Sequence, residues 1–431
     1  MHGATCTRRR WAALVVLWVL TAACADSAPS SAPVSTTPIT APATRTRPRD
    51  GRLRIGVLLP LSGTGATFGA PLVEGVQLAA AEINAAGGVN ARPVELITQD
   101  VGSDTSTAAG AVRKLLASDV DAIVGPASSN IALNVLGSIV EAGVVSCSPT
   151  AAAISLTQFP THGLFFRTIP SDAVQAAAMA DVIDQSGRRS TAVFYPNDDY
   201  GKAFFQQLNA ALVGHGIDVT PAPFDPASAD LSSVVVAALG ANPAVLAIVS
   251  DSAGGTRVLA ALRLLTANQP SLIRPIVVND PLRRADIAGT IGTTAPLLSQ
   301  IKGTSPDSAP ASEAFSKDFA AKFPGLPSTY AAYAYDCTNL LAIASQAAGS
   351  DDPAAIAAAV ADVSRNGTHC ATYKECAALL GQNRNIDYDG ASGSVDLNSH
   401  GDVTSGRFEQ FGFDGTGRDV TLSEFAVNAG T

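Results

Sequence analysis

The sequence has little that would build a membrane channel, a nucleic-acid binder or a hydrolase. Its one concentrated apolar run, Trp11 to Leu20, stops after ten residues, well short of the roughly 20 that a spanning helix needs. An excess of basic residues is missing too: 28 Lys and Arg stand against 37 Asp and Glu, a formal charge of −9, and such a surface repels phosphate backbones. No HExxH or GxSxG occurs, and the few histidines show no pairing with a nucleophile. Enzyme activity is therefore not expected. His369, Cys370 and Cys376 have neither CxxC spacing nor a fourth nearby ligand, so no metal site is expected. Gly63, Gly65 and Gly69 are spaced GxGxxxG rather than GxGxxG, which leaves no case for a dinucleotide cofactor. Aromatic residues are absent from Asp26 to Arg49, a Ser, Thr, Pro and Ala stretch that cannot bury enough apolar surface to fold.

What is present at the start points outward. Arg8, Arg9 and Arg10 precede the apolar run, and small residues Ala22 and Ala23 follow it, as in a signal peptide spanning 1–23. The segment Leu20-Thr21-Ala22-Ala23-Cys24 resembles a bacterial lipobox, which implies a lipid on Cys24 and a disordered tether over 24–51, holding the chain at the outer face of the cytoplasmic membrane. Ordinary cleavage and free secretion is the alternative. Removing the three leader arginines takes the formal charge from −9 by three to −12. Setting Cys6 and Cys24 aside leaves four cysteines in an oxidising compartment, where disulfides form. Cys370 and Cys376 are expected to pair across a short loop; Cys147 and Cys337 pair or stay as buried thiols.

Short apolar runs of strand length alternate with helical spacing: Leu53 to Leu59, then Pro71 to Ala85; Val94 to Thr98, Ala122 to Val124, Gly143 to Ser146 and Leu164 to Phe166, with Thr107 to Ala117 and Ile131 to Ala142 between them. Alternating βα implies a parallel sheet. The pattern restarts after Thr168 with a helix over Ala173 to Ser186 and strands over Thr191 to Tyr195, Val245 to Val249 and Ile276 to Asn279. Thr329 to Ala348 reads as a long helix and Phe408 to Phe413 as a final short strand. Neither makes a domain alone, so each returns to an earlier lobe.

The run Ile55-Gly-Val-Leu-Leu-Pro60-Leu-Ser62-Gly63, followed by Phe68-Gly69, Gly75, Glu82-Ile-Asn84 and Gly87-Gly88-Val89, resembles the type I periplasmic binding proteins of the branched-chain amino acid class. Tyr200-Gly201 and Asp387-Tyr-Asp389-Gly390-Ala-Ser-Gly393 agree, and the resemblance covers about Leu53 to Phe413. It implies an α/β fold of two Rossmann-like lobes with parallel-type sheets, joined by a multi-strand hinge, with lobe 1 over 52–168 and 304–405 and lobe 2 over 169–303 and 406–428. The implied function is a monomeric extracytoplasmic receptor that closes on an amino acid or a related amide or carboxylate and delivers it to an ABC permease. A ligand-sensing module working with a partner receptor is the alternative.

Residue by residue, the resemblance makes Phe68 an aromatic cover, Ser129 a hydroxyl on the ligand carboxylate, and Ser148 and Thr150 members of the same hydroxyl-rich turns. Ala152 replaces a threonine hydroxyl of many relatives. Tyr200 matches an aromatic wall, Asp251 lies in a loop that replaces an aromatic-rich segment, and Asp280 aligns with the acid that meets the ligand ammonium. Each has a plainer reading: Ser128 and Ser129 as helix caps, Phe68 as lobe packing, Tyr200 as a surface turn residue, and Asp280 as a turn former before Pro281 or an ion-pair partner of Arg283 and Arg284.

Overall fold

The computed structural model describes residues 49–428 except 103, 285–286, 292–294, 308–311, 327 and 329. The expected signal peptide, Cys24 and all but the last residues of the tether lie outside the described residues.

Strands β1 (Arg54–Leu59), β2 (Glu95–Asp100), β3 (Ala122–Val124), β4 (Val145–Ser148) and β5 (Phe165–Arg167) form one sheet in the order β2-β1-β3-β4-β5, parallel throughout. A sheet covered on both faces wants strands apolar on both faces, and β1 fits: Ile55, Val57 and Leu59 enter one core, whereas Leu58 joins Ile123 in the opposite one. The helices Thr105–Ala117 and Ser129–Glu141 close that second core with Val112, Leu115, Val135 and Ile139.

The second sheet repeats the plan. β6 (Ser190–Pro196), β7 (Asp218–Phe224), β8 (Val245–Ile248), β9 (Ile276–Val278) and β10 (Ile301–Pro306) run in the equivalent order β7-β6-β8-β9-β10, again parallel. The chain then returns to the first lobe for a small sheet of β11 (Thr368–Cys370), β12 (Ile386–Gly390) and β13 (Gly393–Ser394). It ends in a long hairpin, β14 (Ser405–Phe413) and β15 (Asp419–Asn428), which adds two antiparallel strands beside β10. The second sheet is thus mixed, since a turn as short as Asp414 to Arg418 can join only antiparallel neighbours.

Three strands carry no clear apolar signal. β7 contains Pro221 and Pro223, which a sheet tolerates at its edge, and β7 is an edge strand. β10 reads IKGTSP, yet it sits between β9 and β14 and keeps the chain in the second sheet through Pro306, past the expected boundary at 303. β15 exposes most of one face.

The helix Ala331–Ala348 is buried through Ser345 and lies against the helix Ala66–Ala85 in the first lobe. Gly75 permits that approach, because a Cβ there would overlap the Ala331 carbonyl oxygen. Cys337 on this helix is bonded to Cys147 on β4, and Cys370 is bonded to Cys376. Among the described residues no helix is long and apolar enough to cross a membrane.

Candidate functional site

In open α/β sheets ligands sit outside the carboxyl ends of the strands, and both sheets send chemistry-bearing residues there. After β1 the turn is fixed by Asp100 at the end of β2, which accepts hydrogen bonds from the N–H groups of Leu61 (2.8 Å) and Gly102 (2.7 Å). Gly69 packs directly on this turn: any Cβ would overlap the Pro60 carbonyl oxygen. That approach brings Phe68 to the cleft, 38% exposed, with its ring edge-on to Tyr330 at a centroid separation of 5.4 Å. Tyr330 itself is held at φ 60°, a left-handed conformation unusual for an aromatic residue.

The segment after β4 is tied down from behind. Ser148 is fully buried; its hydroxyl donates to the Pro126 carbonyl at 2.6 Å and accepts from the Ala151 N–H at 2.9 Å. Thr150 donates its hydroxyl to the Ala127 carbonyl at 2.8 Å, and Ser129 accepts from the Ala153 N–H at 3.2 Å. These bonds engage the N–H groups of Ala151 and Ala153. Among the described residues none engages those of Thr150 and Ala152, which alternate with them. Thr150 and Ala152 line a cavity of about 120 Å³ together with Phe68 and Tyr330.

The far wall of the cavity is acidic. Asp172 and Gln175 stand in the first turn of the helix Asp172–Gln185, just past β5; Asp280 follows β9, and Pro306 ends β10. Gln175 donates from Nε2 to the Asp280 carboxylate at 2.7 Å and to the Thr304 carbonyl at 3.0 Å. Arg283 is not the partner of Asp280. Its guanidinium reaches Glu409 at 2.9 Å and Asp419 at 3.0 Å and lies over the Phe411 ring. Burial holds the Asp280 carboxyl above the usual carboxylate range despite the Gln175 hydrogen bond. Asp172 is 8% exposed, and burial followed by the charge of Asp280 pushes its carboxyl up to about 7.

Of the residues singled out from sequence, Phe68, Thr150, Ala152 and Asp280 line the cavity. Ser129 stands behind Ala153, and the Ser148 hydroxyl is spent on backbone groups, so neither lines it. Ser128 takes the cap position of its helix without a side-chain capping bond. Tyr200 lies just beyond the wall. Its hydroxyl accepts from Asn279 Nδ2 at 3.2 Å, and burial makes it a far weaker acid than an ordinary tyrosine. Asp251 is an exposed helix cap that accepts from the Gly254 N–H at 2.7 Å, and it is absent from the lining. Asp172, Gln175 and Tyr330 were not singled out. The signal for Asp172 was its place at the carboxyl end of β5; Tyr330, in a turn ahead of a long apolar helix, had none.

Comparison with known proteins agrees with this geometry. The family described as periplasmic binding protein matches residues 52–373. The chemotactic signal transduction system substrate-binding protein BasB of Halobacterium salinarum is 28% identical over 368 residues, covering 80% of this chain and 83% of its own length. The leucine-binding protein LivK of Thermotoga maritima superposes with a TM-score of 0.66 at 22% identity, covering 87% of this chain and 99% of that one. LivJ of Streptococcus pneumoniae, solved with isoleucine, gives 0.66 at 22% over 88% and 99%. With two lobes of matching strand order and a cavity where their carboxyl ends meet, the chain belongs to the periplasmic binding proteins, type I, of the branched-chain amino acid class, a family of solute binders rather than enzymes.

Proposed function

We propose that this chain captures a small ammonium-bearing metabolite, an amino acid or a close relative, outside the cytoplasmic membrane and delivers it to an ABC permease. The observation that carries this reading is Asp280: a carboxylate on the cavity wall whose neighbouring arginine is engaged elsewhere. An ammonium group satisfies such a carboxylate by a charge-assisted hydrogen bond. On the opposite wall the N–H groups of Thr150 and Ala152 suit a ligand carboxylate or carbonyl oxygen, and Phe68 and Tyr330 cover the apolar part. Ala152 supplies a methyl group in place of a hydroxyl, which favours a ligand with one acceptor fewer than a plain aliphatic amino acid. On this reading Cys24 carries a lipid that keeps the receptor beside its permease, and the receptor works as a monomer.

Mass spectrometry of protein purified without denaturation, followed by thermal shift against amino acids and their amides, tests the reading. A ligand at 100 times its dissociation constant adds about 2.7 kcal/mol of stability. A flat panel and an empty spectrum would overturn it. The likeness to a chemotactic substrate-binding protein supports a second reading, in which the loaded form reports to a partner receptor. Deletion that abolishes ligand uptake favours import; deletion that spares uptake but abolishes the behavioural response favours sensing.

A further inference from the structure

Asp280 has a companion in the cavity that the function proposed above does not use. Asp172 is more than nine-tenths buried and lines the same cavity, and among the described residues its carboxylate takes part in no hydrogen bond or ion pair. Buried carboxylates in folded proteins are ordinarily paired or hydrogen-bonded. The nearest cation by electrostatic influence, Arg167, is spent. Its Nε pairs with Asp402 at 2.6 Å, and its other nitrogens donate to the carbonyls of Ala151 and Ala153 and to the Thr157 hydroxyl. Two acids therefore line one small cavity, and among the described residues no basic side chain does.

Resting on the solute-binding reading, we infer that the ligand is a compact monocation without a carboxylate of its own, an α-amino amide or simple amine, whose nitrogen sits between Asp172 and Asp280. A zwitterion would bring a third anion into a site that already holds two. An amide keeps the ammonium for the acids and presents only a neutral carbonyl oxygen to the N–H groups of Thr150 and Ala152. The Phe68 and Tyr330 rings suit the same charge, since a cation near an aromatic face is attracted to it. The cavity volume of about 120 Å³ sets the size: a dry cavity of about 150 Å³ accommodates benzene, so roughly four to six heavy atoms fit.

The charged and titratable groups around Asp172 are Asp280 after β9, Arg167 on β5 with its partner Asp402, and Tyr200 on the helix Asp199–Gly214. Tyr330 adjoins Asp280, and Arg283 is held by Glu409 and Asp419. Of these, Asp172 is the acid that burial and the charge of Asp280 push up to about 7, so a cation bound beside it displaces a proton from Asp172 into the buffer.

Isothermal titration of the full chain with alaninamide against alanine, and glycinamide against glycine, tests the inference. At pH 8 each amide is expected to bind at least ten times more tightly than its acid. Titration near pH 6.5 in two buffers of different ionisation enthalpy is expected to show proton release with the amides. Asp172→Asn is expected to shrink the amide preference to less than threefold while zwitterion affinity changes little. Equal or tighter binding of the acids, or an unchanged preference in Asp172→Asn, would overturn the inference and leave the solute-binding reading standing. Heat from neither series would overturn both.

Discussion

At the scale of the residue, the cleft illustrates how a side chain's free valence matters more than its type. Ser148, Thr150 and Ser129 are hydroxyls in the expected turns, yet each is engaged in fastening the backbone behind the cavity. Asp280 is the reverse case, a carboxylate whose nearest arginine looks elsewhere. Asp280→Ala is expected to weaken binding of an ammonium ligand by about 2–5 kcal/mol, much of it from the unpaired charge left on the ligand, as read by calorimetry; unchanged affinity would remove Asp280 from the site. Asp172 leads to a pH prediction. Its carboxyl is raised to about 7 in the folded protein, against about 4 in an unfolded chain. A raised acid stabilises the fold fully below its unfolded value, and that contribution fades as pH rises through the folded one. The empty protein is thus expected to lose stability in urea between roughly pH 4 and pH 7, the interval between the two values, with a shallower loss in Asp172→Asn. Parallel curves would show that Asp172 is ionised throughout.

At the scale of the element, glycine positions set how closely neighbours approach. Gly75→Ala would push the helix Ala66–Ala85 off the start of the helix Ala331–Ala348, next to Tyr330. Overpacking of this kind costs about 1–3 kcal/mol, and calorimetric melting checks it. The elements legible in the sequence were those with a strong apolar rhythm: β1, β3, β6, β8 and the helices Thr105–Ala117, Ser129–Glu141 and Ala331–Ala348 match to within a few residues, whereas the helices Pro353–Val363 and Tyr373–Leu380 went unread. β10 was hidden because a central strand reading IKGTSP has too few apolar side chains to stand out, and β7 because its prolines imitate a loop. In the cavity, Phe68 and Asp280 were legible through the family resemblance, carried by the motif that follows β1 and by the position just after β9. Asp172 and Tyr330 were not, since their importance comes from what the folded chain places opposite them.

At the scale of the molecule, the two sheets share a strand order, and the chain passes between them after β5, after β10 and before β14. The disulfide Cys147–Cys337 joins residues 190 apart, both in the first lobe. Replacing both cysteines by alanine is expected to cost about 2–4 kcal/mol in denaturant while leaving ligand affinity within about twofold, because the bond does not bridge the lobes. A fall in affinity larger than tenfold would show that it does more than brace one lobe. The passages between sheets also lie close to the cavity: Ile169 and Pro306, which line it, belong to the first two. Whatever fills the space therefore presses beside the fulcrum rather than at the lips. Rotation displaces each atom in proportion to its distance from the axis, so a sub-ångström adjustment around a few ligand atoms becomes a sweep of several times that size at the outer rims, where a membrane partner could read it.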